Sequence, residues 1–456
     1  MPRKPAGRPL FDENGLRRWS VFHPVNSTRR PASPTNLLTE RTGRRRDSHA
    51  RVAGLVLTLL VSGLLVASAA TAAEIGPGSD LCSAINALQP GEELVLAPGE
   101  YSGPCTIQRG GRAGAPIVIR AADPGQRPHV VYHGATANIL DVKADHVTVR
   151  GLAFGPTAPG VDGVRIFSRA AVEITDCEFD GLGGIAGAVN HTSIAGLSVL
   201  RNVITNSGST GMYFGCHEGV ECAVSGLRVE DNFIEHINAA DPEVGYGLQV
   251  KLNSAGVIRN NVIVDTKGPG IMVYGARDGL RSNIVERNVV MGSRTSSGIV
   301  IGGGPAIVRN NVVLLNRDAG IGLEDYGGRG LLRSIIVAHN SVYKNTGAGI
   351  VVPEGRPLRD IVIRNNAIQA RVGTAAVPGA RPDIEVMGNV DCTWAPCFVD
   401  PGRLDFSPLM GSLLSTPGSM RPGPWLPTDD FFGVTRGPLP TVGAVERKAR
   451  PIRITP

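Results

Sequence analysis

Two residues that could move protons occupy the same place in two neighbouring segments of this sequence. Lys251 follows the letters GLQV at 247–250, and Tyr274 follows GIMV at 270–273. Elimination from a uronic acid needs a base for the proton beside the carboxylate, a cation for that carboxylate and an acid for the leaving oxygen. We expect Lys251 to be the base or the carboxylate partner and Tyr274 the base or the acid, because a nearby cation lowers the pKa of a phenol. The alternative is an ordinary surface contact between a lysine and a tyrosine.

Two further groups are candidate catalytic residues. His217 lies in the segment CHEGVEC at 216–222, where it is either a general base or a solvated loop residue. Glu324 precedes Asp325, so the two carboxylates share one site only if the chain turns after Glu324. Such a turn would allow a hydrolase pair or a cation site. The residues that we expect to contact a sugar are Tyr213, Gln249, Tyr246, Arg277, Arg294, Asp325 and Tyr326.

Short strands must position these side chains. Six segments share the pattern Gly-Φ-x-Φ-x, where Φ is apolar, at 211–215, 247–251, 270–274, 298–302, 320–324 and 349–353. The Φ side chains should point into the core and the alternate ones outward. The outward position after the second Φ holds Gly215, Lys251, Tyr274, Gly302, Glu324 and Pro353. We expect Gly302 to leave a gap of about the width of a sugar ring, since strands stack about 4.8 Å apart.

An asparagine recurs at a turn beside these strands. It is found at Asn202, Asn232, Asn261, Asn288, Asn311, Asn340 and Asn366, with separations of 30, 29, 27, 23, 29 and 26 residues. A period of this length with short strands, glycine-rich turns and no helical pattern predicts an all-β, right-handed parallel β-helix, or solenoid. The asparagines should form a hydrogen-bonded ladder. Cys177, 25 residues before Asn202, should be a buried neutral thiol in the same ladder.

Composition divides the chain into five parts. We expect a basic extension at 1–51, which is disordered or reflects a start codon placed too early, followed by a signal-peptide core and cleavage site at 52–73. An N-terminal cap with the first coils should follow at 74–130, and the β-helix repeats at 131–370. An irregular C-terminal cap with a Pro/Gly-rich tail should occupy 371–456. The signal predicts secretion to the extracellular or periplasmic space. If it is not cleaved, its apolar stretch is long enough to anchor the chain in a membrane.

The charge distribution argues against a nucleic-acid partner. The formal net charge is +6, but residues 1–51 hold 12 Lys and Arg and 4 Asp and Glu, and residues 52–73 hold none. The rest therefore carries 34 basic residues (46 − 12) and 36 acidic residues (40 − 4), a net charge of −2. The basic character belongs to the N-terminal extension and not to the predicted folded part.

All seven cysteines follow residue 73, in the part predicted to be exported, where disulfides persist. The local pairs predicted to be disulfides are Cys82–Cys105, Cys216–Cys222 and Cys392–Cys397. There is no Cys-x-x-Cys and no His pair at ligand spacing, so no metal ligands are assigned.

The repeats resemble the right-handed parallel β-helix proteins of polysaccharide metabolism, and one stretch is similar to polysaccharide lyase family six, which includes alginate lyases and chondroitinase B. LQVK at 248–251 and RNN at 259–261 match the family's catalytic lysine, arginine and ladder asparagine, with one extra residue between them. SAINALQPGEELVLAPGEY at 83–101 is similar to the opening of these lyases, and DDFFGVTRGPLPTVGAVE at 429–446 to a closing motif of β-helix proteins. The resemblance implies a pectate-lyase-like fold and a catalytic role for Lys251.

The sequence also departs from this family. Tyr274 stands where the family has its catalytic arginine on the next coil. Tyr246 and Val244 stand at the calcium-binding carboxylates, with Asp241 and Glu243 nearby but out of phase. Calcium is therefore the one cofactor that the resemblance suggests, and no other cofactor is indicated. The Asp-Pro-His-Asp motif of mannuronan epimerases and the paired aspartates of polygalacturonases are absent.

These features together predict a secreted, monomeric enzyme that cleaves an acidic polysaccharide by β-elimination. The alternatives are a glycoside hydrolase or uronate epimerase on the same scaffold, and a non-catalytic glycan-binding or cell-surface solenoid. The partner that we expect is a polysaccharide, with no nucleic acid and, after removal of the signal, no membrane.

Overall fold

The computed structural model describes residues 72–218, 221–238, 245–279, 281–379, 381–415, 426–446 and 451–456. The predicted basic extension at 1–51 and the predicted signal-peptide core lie outside the described residues, as do Asp241, Glu243 and Val244. Ala72 and Ala73, at the predicted cleavage site, belong to the first strand, Ala72–Ile75. No helix among the residues described is long and apolar enough to cross a membrane.

The described chain winds through three parallel β-sheets. The 14-stranded sheet contains Ala72–Ile75, Glu93–Leu96, Ile117–Ala121, Val147–Arg150, Ala170–Thr175, Ile194–Leu200, Val224–Ser225, Leu227–Glu230, Gly256–Arg259, Asn283–Glu286, Ala306–Arg309, Arg333–Ala338, Arg359–Arg364 and Ile384–Met387. The 12-stranded sheet contains Glu100–Ser102, His129–Val131, Ala153–Phe154, Glu178–Asp180, Val203–Thr205, Phe233–Ile237, Val262–Thr266, Val289–Met291, Val312–Leu314, Ser341–Tyr343, Ala367–Gln369 and Val390–Asp391. The 10-stranded sheet contains Cys105–Ile107, Leu140–Val142, Val164–Ile166, Gly187–Val189, Met212–Phe214, Leu248–Val250, Ile271–Val273, Ile299–Ile301, Ile321–Leu323 and Ile350–Val351.

Few other regular elements occur in the described residues. One α-helix, Leu81–Ala87, begins at Asp80, whose carboxylate accepts the Ser83 amide, and it buries Leu81 and Ile85 in the core. The remaining elements are an antiparallel strand pair, Phe398–Asp400 with Asp405–Pro408, and the 3-10 helices Tyr326–Gly328, Pro401–Arg403 and Leu413–Ser415. The predicted all-β parallel solenoid is therefore confirmed.

The core is built from the apolar positions of the repeats. Leu248 and Val250 pair in parallel register with Ile271 and Val273 of the next coil, and all four side chains are fully buried. Burying one such side chain contributes about 1.5–3 kcal/mol, so the repeated pattern stabilises every coil in turn. The predicted inward direction of the Φ positions is confirmed.

The asparagine ladder lies at the turn between the 14-stranded and 12-stranded sheets. The Asn288 side-chain amide donates to the Ile258 carbonyl at 2.9 Å and to Asn311 Oδ1 at 3.0 Å. Arg287, immediately before it, has a left-handed φ of 55°, which turns the chain sharply between the two strands. The ladder continues beyond the predicted members to Asn389, which accepts the Asn366 amide. The structural role predicted for these asparagines agrees with this geometry.

Cys177 lies in the ladder as a buried thiol, as predicted. It is a free, fully buried thiol whose backbone amide donates to Asn202 Oδ1 at 2.9 Å. Burial raises the pKa of the Cys177 thiol to about 12, so the group stays neutral. The other six cysteines form the three predicted disulfides, Cys82–Cys105, Cys216–Cys222 and Cys392–Cys397.

The C-terminal segment 426–446 lies along the turns of the ladder. Arg436 is buried there, where its guanidinium donates to Asn310 Oδ1 at 2.7 Å and pairs with Glu446. The Gly443 amide donates to the Asn365 carbonyl at 2.9 Å. This segment therefore packs on one corner of the solenoid, away from the outer face of the 10-stranded sheet that carries Lys251.

Candidate functional site

The candidate site lies on the outer face of the 10-stranded sheet, where strands Met212–Phe214, Leu248–Val250 and Ile271–Val273 end. Lys251 directly follows the second of these strands, and its amide donates to the Phe214 carbonyl at 2.8 Å, which continues the strand pairing. The parallel register therefore places Lys251 beside Tyr274 of the next coil. His217 and Glu218, beside the Cys216–Cys222 disulfide, border this position together with Tyr326.

Lys251 is enclosed by polar and aromatic groups. Its Nζ lies 3.3 Å from His217 Nδ1 and 3.3 Å from Gln249 Oε1, and it lies 3.9 Å and 5.0 Å from the ring centres of Tyr274 and Tyr213. Only 2% of Lys251 is exposed. Burial, together with the positive charge of Arg329, lowers the pKa of Lys251 from 10.5 to about 8. Lys251 can therefore lose its proton near neutral pH and accept one from a ligand.

Tyr274 does not fit the predicted role of a base. It is 2% exposed, and burial is the largest cause that raises its pKa above the ordinary value of a phenol. Tyr246 and Tyr326, which hydrogen-bond to Tyr274, raise its pKa further. The expectation that the neighbouring lysine would lower the pKa of Tyr274 is therefore wrong. Tyr274 remains a neutral phenol whose ring faces the ammonium group.

Four of the seven tyrosines of the chain surround Lys251 or pack behind it, namely Tyr213, Tyr246, Tyr274 and Tyr326. The rings of Tyr274 and Tyr326 meet edge to face, with their centres 4.7 Å apart. Burial raises the pKa of Tyr213 to about 12, so this side chain is also a neutral phenol. The half-buried Tyr213, Tyr246 and Tyr326 form an aromatic wall that could stack against a sugar ring.

The gap predicted at Gly302 is filled. A Cβ atom placed on Gly302 would lie 3.4 Å from Tyr326 Cβ and 3.2 Å from the Met272 side chain. The chain turns directly after Glu324 into the 3-10 helix Tyr326–Gly328, and this turn carries Tyr326 back over the sheet. The prediction of an open gap is therefore wrong, because a loop covers the glycine.

The outward-facing side chains beside Lys251 are also less exposed than the alternation of inward and outward positions along the strands predicts. Met272 and Val300 point away from the solenoid core but are buried in a second apolar cluster with Leu252, Tyr274 and Leu331. Gln249 is buried too, and its amide donates to Thr210 Oγ1 at 3.4 Å while its carbonyl oxygen accepts from Lys251. This cluster excludes water from one side of Lys251, which is the physical reason for its lowered pKa.

The mouth of the site is lined by ionic groups. His217 and Glu218 are exposed in the disulfide loop, and their side chains lie 3.3 Å apart. Glu218 also pairs with Arg329 at 2.8 Å and with Arg277 at 3.8 Å, and Arg329 is the main cause that lowers the pKa of Glu218. Glu218 and Arg329 were not singled out as candidate residues in the sequence, because both lie in loops outside the strand repeat.

Glu324 and Asp325 make separate contacts. A Cβ on Gly322 would lie 3.0 Å from Glu324 Oε1, and burial, followed by the negative charge of Asp318, raises the pKa of Glu324. Asp325 Oδ1 accepts the Gly330 amide at 2.8 Å and so stabilises the loop that carries Tyr326. Although the chain does turn after Glu324, these contacts do not pair the two carboxylates as a hydrolase would require.

Arg294 is held elsewhere in the structure. Its guanidinium pairs with Asp265 at 2.7 Å and donates to the Ile237 carbonyl at 3.0 Å, beyond the end of strand Val289–Met291 in the 12-stranded sheet. Arg277, by contrast, is exposed at the mouth of the site. Of the two arginines predicted to contact a sugar, Arg277 therefore lies at the Lys251 site, where it pairs with Glu218, and Arg294 does not.

The described residues do not fit a calcium ion at the position suggested by the family resemblance. Tyr246 occupies one of the two expected carboxylate positions, and its hydroxyl is hydrogen-bonded to Tyr274. Within the part of the chain that the structure describes, no group of three or more His, Cys, Asp or Glu side chains could hold a metal ion.

A family model described as a right-handed β-helix region matches residues 131–281 and 218–390. The chain belongs to the right-handed β-helix family. This match confirms the right-handed parallel β-helix fold that the asparagine period and the family resemblance predicted for this β-helix protein. No match was found among curated proteins.

Solved structures similar to this β-helix protein include three enzymes. The pectate lyase Pel9A has 15% identity and a TM-score of 0.46, and the match covers 84% of this chain and 97% of that one. The family-six alginate lyase AlyGC has 16% identity and a TM-score of 0.44, with 70% of this chain and 51% of that one covered. The A-module of the Azotobacter vinelandii mannuronan C-5 epimerase AlgE4 has 13% identity and a TM-score of 0.47, with 69% and 91% covered.

Proposed function

We propose that this β-helix protein cleaves an acidic polysaccharide by β-elimination, with Lys251 as the base. The observation that carries the proposal is the environment of Lys251, whose amine is buried between two tyrosine rings and whose pKa is lowered to about 8. A general base is most effective when its pKa is close to the working pH. A lysine that served only as a surface charge would keep its ordinary, higher pKa.

The reaction assigns one role to each group. The neutral Lys251 amine takes the proton from the sugar carbon next to the carboxylate, so that a C–H bond breaks and an N–H bond forms. The electron pair left on that carbon forms a C=C double bond, and the bond to the glycosidic oxygen breaks. The His217 ring, whose Nδ1 lies 3.3 Å from Lys251 Nζ, relays this proton to the leaving oxygen. Nδ1 accepts the proton from Lys251 while the other ring nitrogen donates one to the oxygen, whose bond to carbon has broken. Tyr274 positions the lysine through its ring and does not exchange a proton.

An acidic substrate is proposed because the mouth of the site is cationic. Arg277 and Arg329 lie there together with His217, and Lys251 lies behind them. A carboxylate on the sugar would acidify the proton that Lys251 removes and would be attracted to these groups. The three disulfides support secretion, since such bonds persist in oxidising compartments.

The test is product analysis with the full chain on a panel of uronic-acid polysaccharides. A lyase releases an unsaturated product that absorbs in the ultraviolet, and we expect Lys251→Met to lower this rate by a factor of at least about 100. Lys344→Met is the matched control, because Lys344 also lies over a tyrosine ring, at 5.3 Å from the centre of Tyr343, but is exposed directly after strand Ser341–Tyr343. New reducing ends without absorbance would indicate a hydrolase. Glycan retention without either product would indicate a binding module.

A further inference from the structure

The Glu218 carboxylate is held by nitrogen-bearing side chains from three separate parts of the chain. It lies 2.8 Å from Arg329 of the loop after Tyr326–Gly328, 3.8 Å from Arg277 after strand Ile271–Val273, and 3.3 Å from His217 of its own loop. Glu218 also acts on Lys251, whose pKa it raises against the larger effect of burial. One carboxylate thus offsets part of the positive charge of Arg329 and Arg277 at the mouth of the site.

Arg329 is fixed in place, whereas Glu218 is accessible. The Arg329 side chain is 11% exposed, its Nη1 donates to the Tyr326 carbonyl at 3.3 Å, and its guanidinium lies 5.1 Å from the centre of the Tyr326 ring. The Glu218 side chain is 49% exposed. The guanidinium is therefore a preformed anion-binding group, and its present anion faces solvent.

We propose that Arg329 and Arg277 bind the carboxylate of a uronic-acid unit, and that Glu218 occupies this site until the substrate displaces it. The identity of the ligand rests on the proposed function, but the anion site itself rests on the three contacts of Glu218. Replacing one carboxylate by another keeps the charge at the site unchanged. The Glu218 side chain faces solvent, so a substrate carboxylate can reach the two arginines and replace it.

Glu218→Gln tests this arrangement, with Glu221→Gln as its matched control. Glu221 is exposed in the same disulfide loop, so both variants change the net charge equally. The probe is D-galacturonate at millimolar concentrations, with D-galactose as its neutral counterpart. Binding is measured by calorimetry and by the shift of the NMR signal of the Arg329 Nε–H group. That signal is assigned by its disappearance in Arg329→Lys. We expect Glu218→Gln to bind galacturonate about threefold more tightly than the parent, with a shift of the Arg329 signal.

Three results would overturn the proposal. The first is that Glu218→Gln does not bind galacturonate. The second is that Glu221→Gln tightens galacturonate binding as much as Glu218→Gln does. The third is that galactose binds as tightly as galacturonate. Binding is read without turnover, so the result does not depend on the elimination reaction. If galacturonate binds as expected but no uronan gives an unsaturated product, the carboxylate site stands and the lyase proposal fails.

Discussion

The Nζ atom of Lys251 lies 3.9 Å from the centre of the Tyr274 ring, although the two residues are 23 positions apart in the sequence (274 − 251). The parallel pairing of Val250 with Val273 brings them together on successive coils. The ring face favours the ammonium form, while burial favours the neutral amine. Burial dominates, since the pKa of Lys251 is lowered to about 8.

Tyr274→Phe should retain most of the elimination activity. The variant keeps the ring against Lys251 and loses only a hydroxyl whose raised pKa makes it a poor base. We expect the rate of unsaturated product formation to fall by less than about tenfold, whereas loss of a true acid or base costs about 100-fold or more. Tyr274→Ala, which also removes the ring, should be more damaging. A Tyr274→Phe variant as inactive as Lys251→Met would show that the phenol exchanges a proton.

Lys251→Met should stabilise the protein at pH 7, by about 1–3 kcal/mol. The folded chain holds the Lys251 proton less tightly than the unfolded chain, because the pKa falls from 10.5 to about 8. Between these two pH values the unfolded state binds more protons, so the parent gains stability as the pH rises. The advantage of Lys251→Met should therefore shrink between pH 8 and pH 10.5. Urea denaturation at pH 7 and pH 9.5, with Lys344→Met as control, measures the difference in the free energy of unfolding between the variant and the parent. A lower midpoint for Lys251→Met at pH 7 would contradict this account.

Removing the Cys216–Cys222 disulfide should impair activity more than stability. This bond closes a loop with a sequence separation of 6, and that loop positions His217 and Glu218. The Cys82–Cys105 bond has a separation of 23, so its removal should cost about 1 kcal/mol more in loop entropy. We expect Cys216→Ser with Cys222→Ser to lower kcat/KM by at least about tenfold. The thermal midpoint should fall further in the double variant Cys82→Ser with Cys105→Ser, which should keep its activity. The reverse pattern would mean that the 216–222 loop has no part in the site.

Asn288→Ala should destabilise the solenoid without affecting the site directly. Asn288 Oδ1 accepts the Asn261 backbone amide at 3.0 Å, and its own amide donates to the Ile258 carbonyl at 2.9 Å. Each buried polar group left unsatisfied costs about 1–3 kcal/mol, so we expect a loss of about 3 kcal/mol in the free energy of unfolding. Asn238→Ala, at an exposed asparagine whose Oδ1 accepts from Arg294 at 3.3 Å, should change it by less than about 0.5 kcal/mol. Similar denaturation midpoints for the two variants would refute the importance of the ladder.

The fold could be predicted from the sequence because each coil repeats the same local pattern. The period of the asparagines and the alternation around Leu248 and Val250 depend only on residues close together in the chain. The surroundings of Lys251 depend instead on loops that return from distant positions. Tyr326 covers Gly302, and Arg329 reaches Glu218, which lies 111 residues earlier. No periodicity marks these loop residues, so the burial of Tyr274 and the ionic contacts at the mouth were not predicted.

The most direct test of Lys251 as the base is the pH dependence of elimination after its amine has been replaced. For the parent, kcat/KM for unsaturated product should rise with pH through an apparent pKa of about 8, because the neutral amine is the active form. Lys251→Cys, made in a Cys177→Ala background so that it is the one free thiol of the seven-cysteine chain, should be inactive. Treatment with 2-bromoethylamine in urea, followed by refolding, should restore a primary amine that is less basic than lysine. The account predicts recovered activity with the rising limb moved to lower pH. If the rising limb of the kcat/KM profile does not move, or if the untreated Lys251→Cys variant is as active as the parent, Lys251 is not the base.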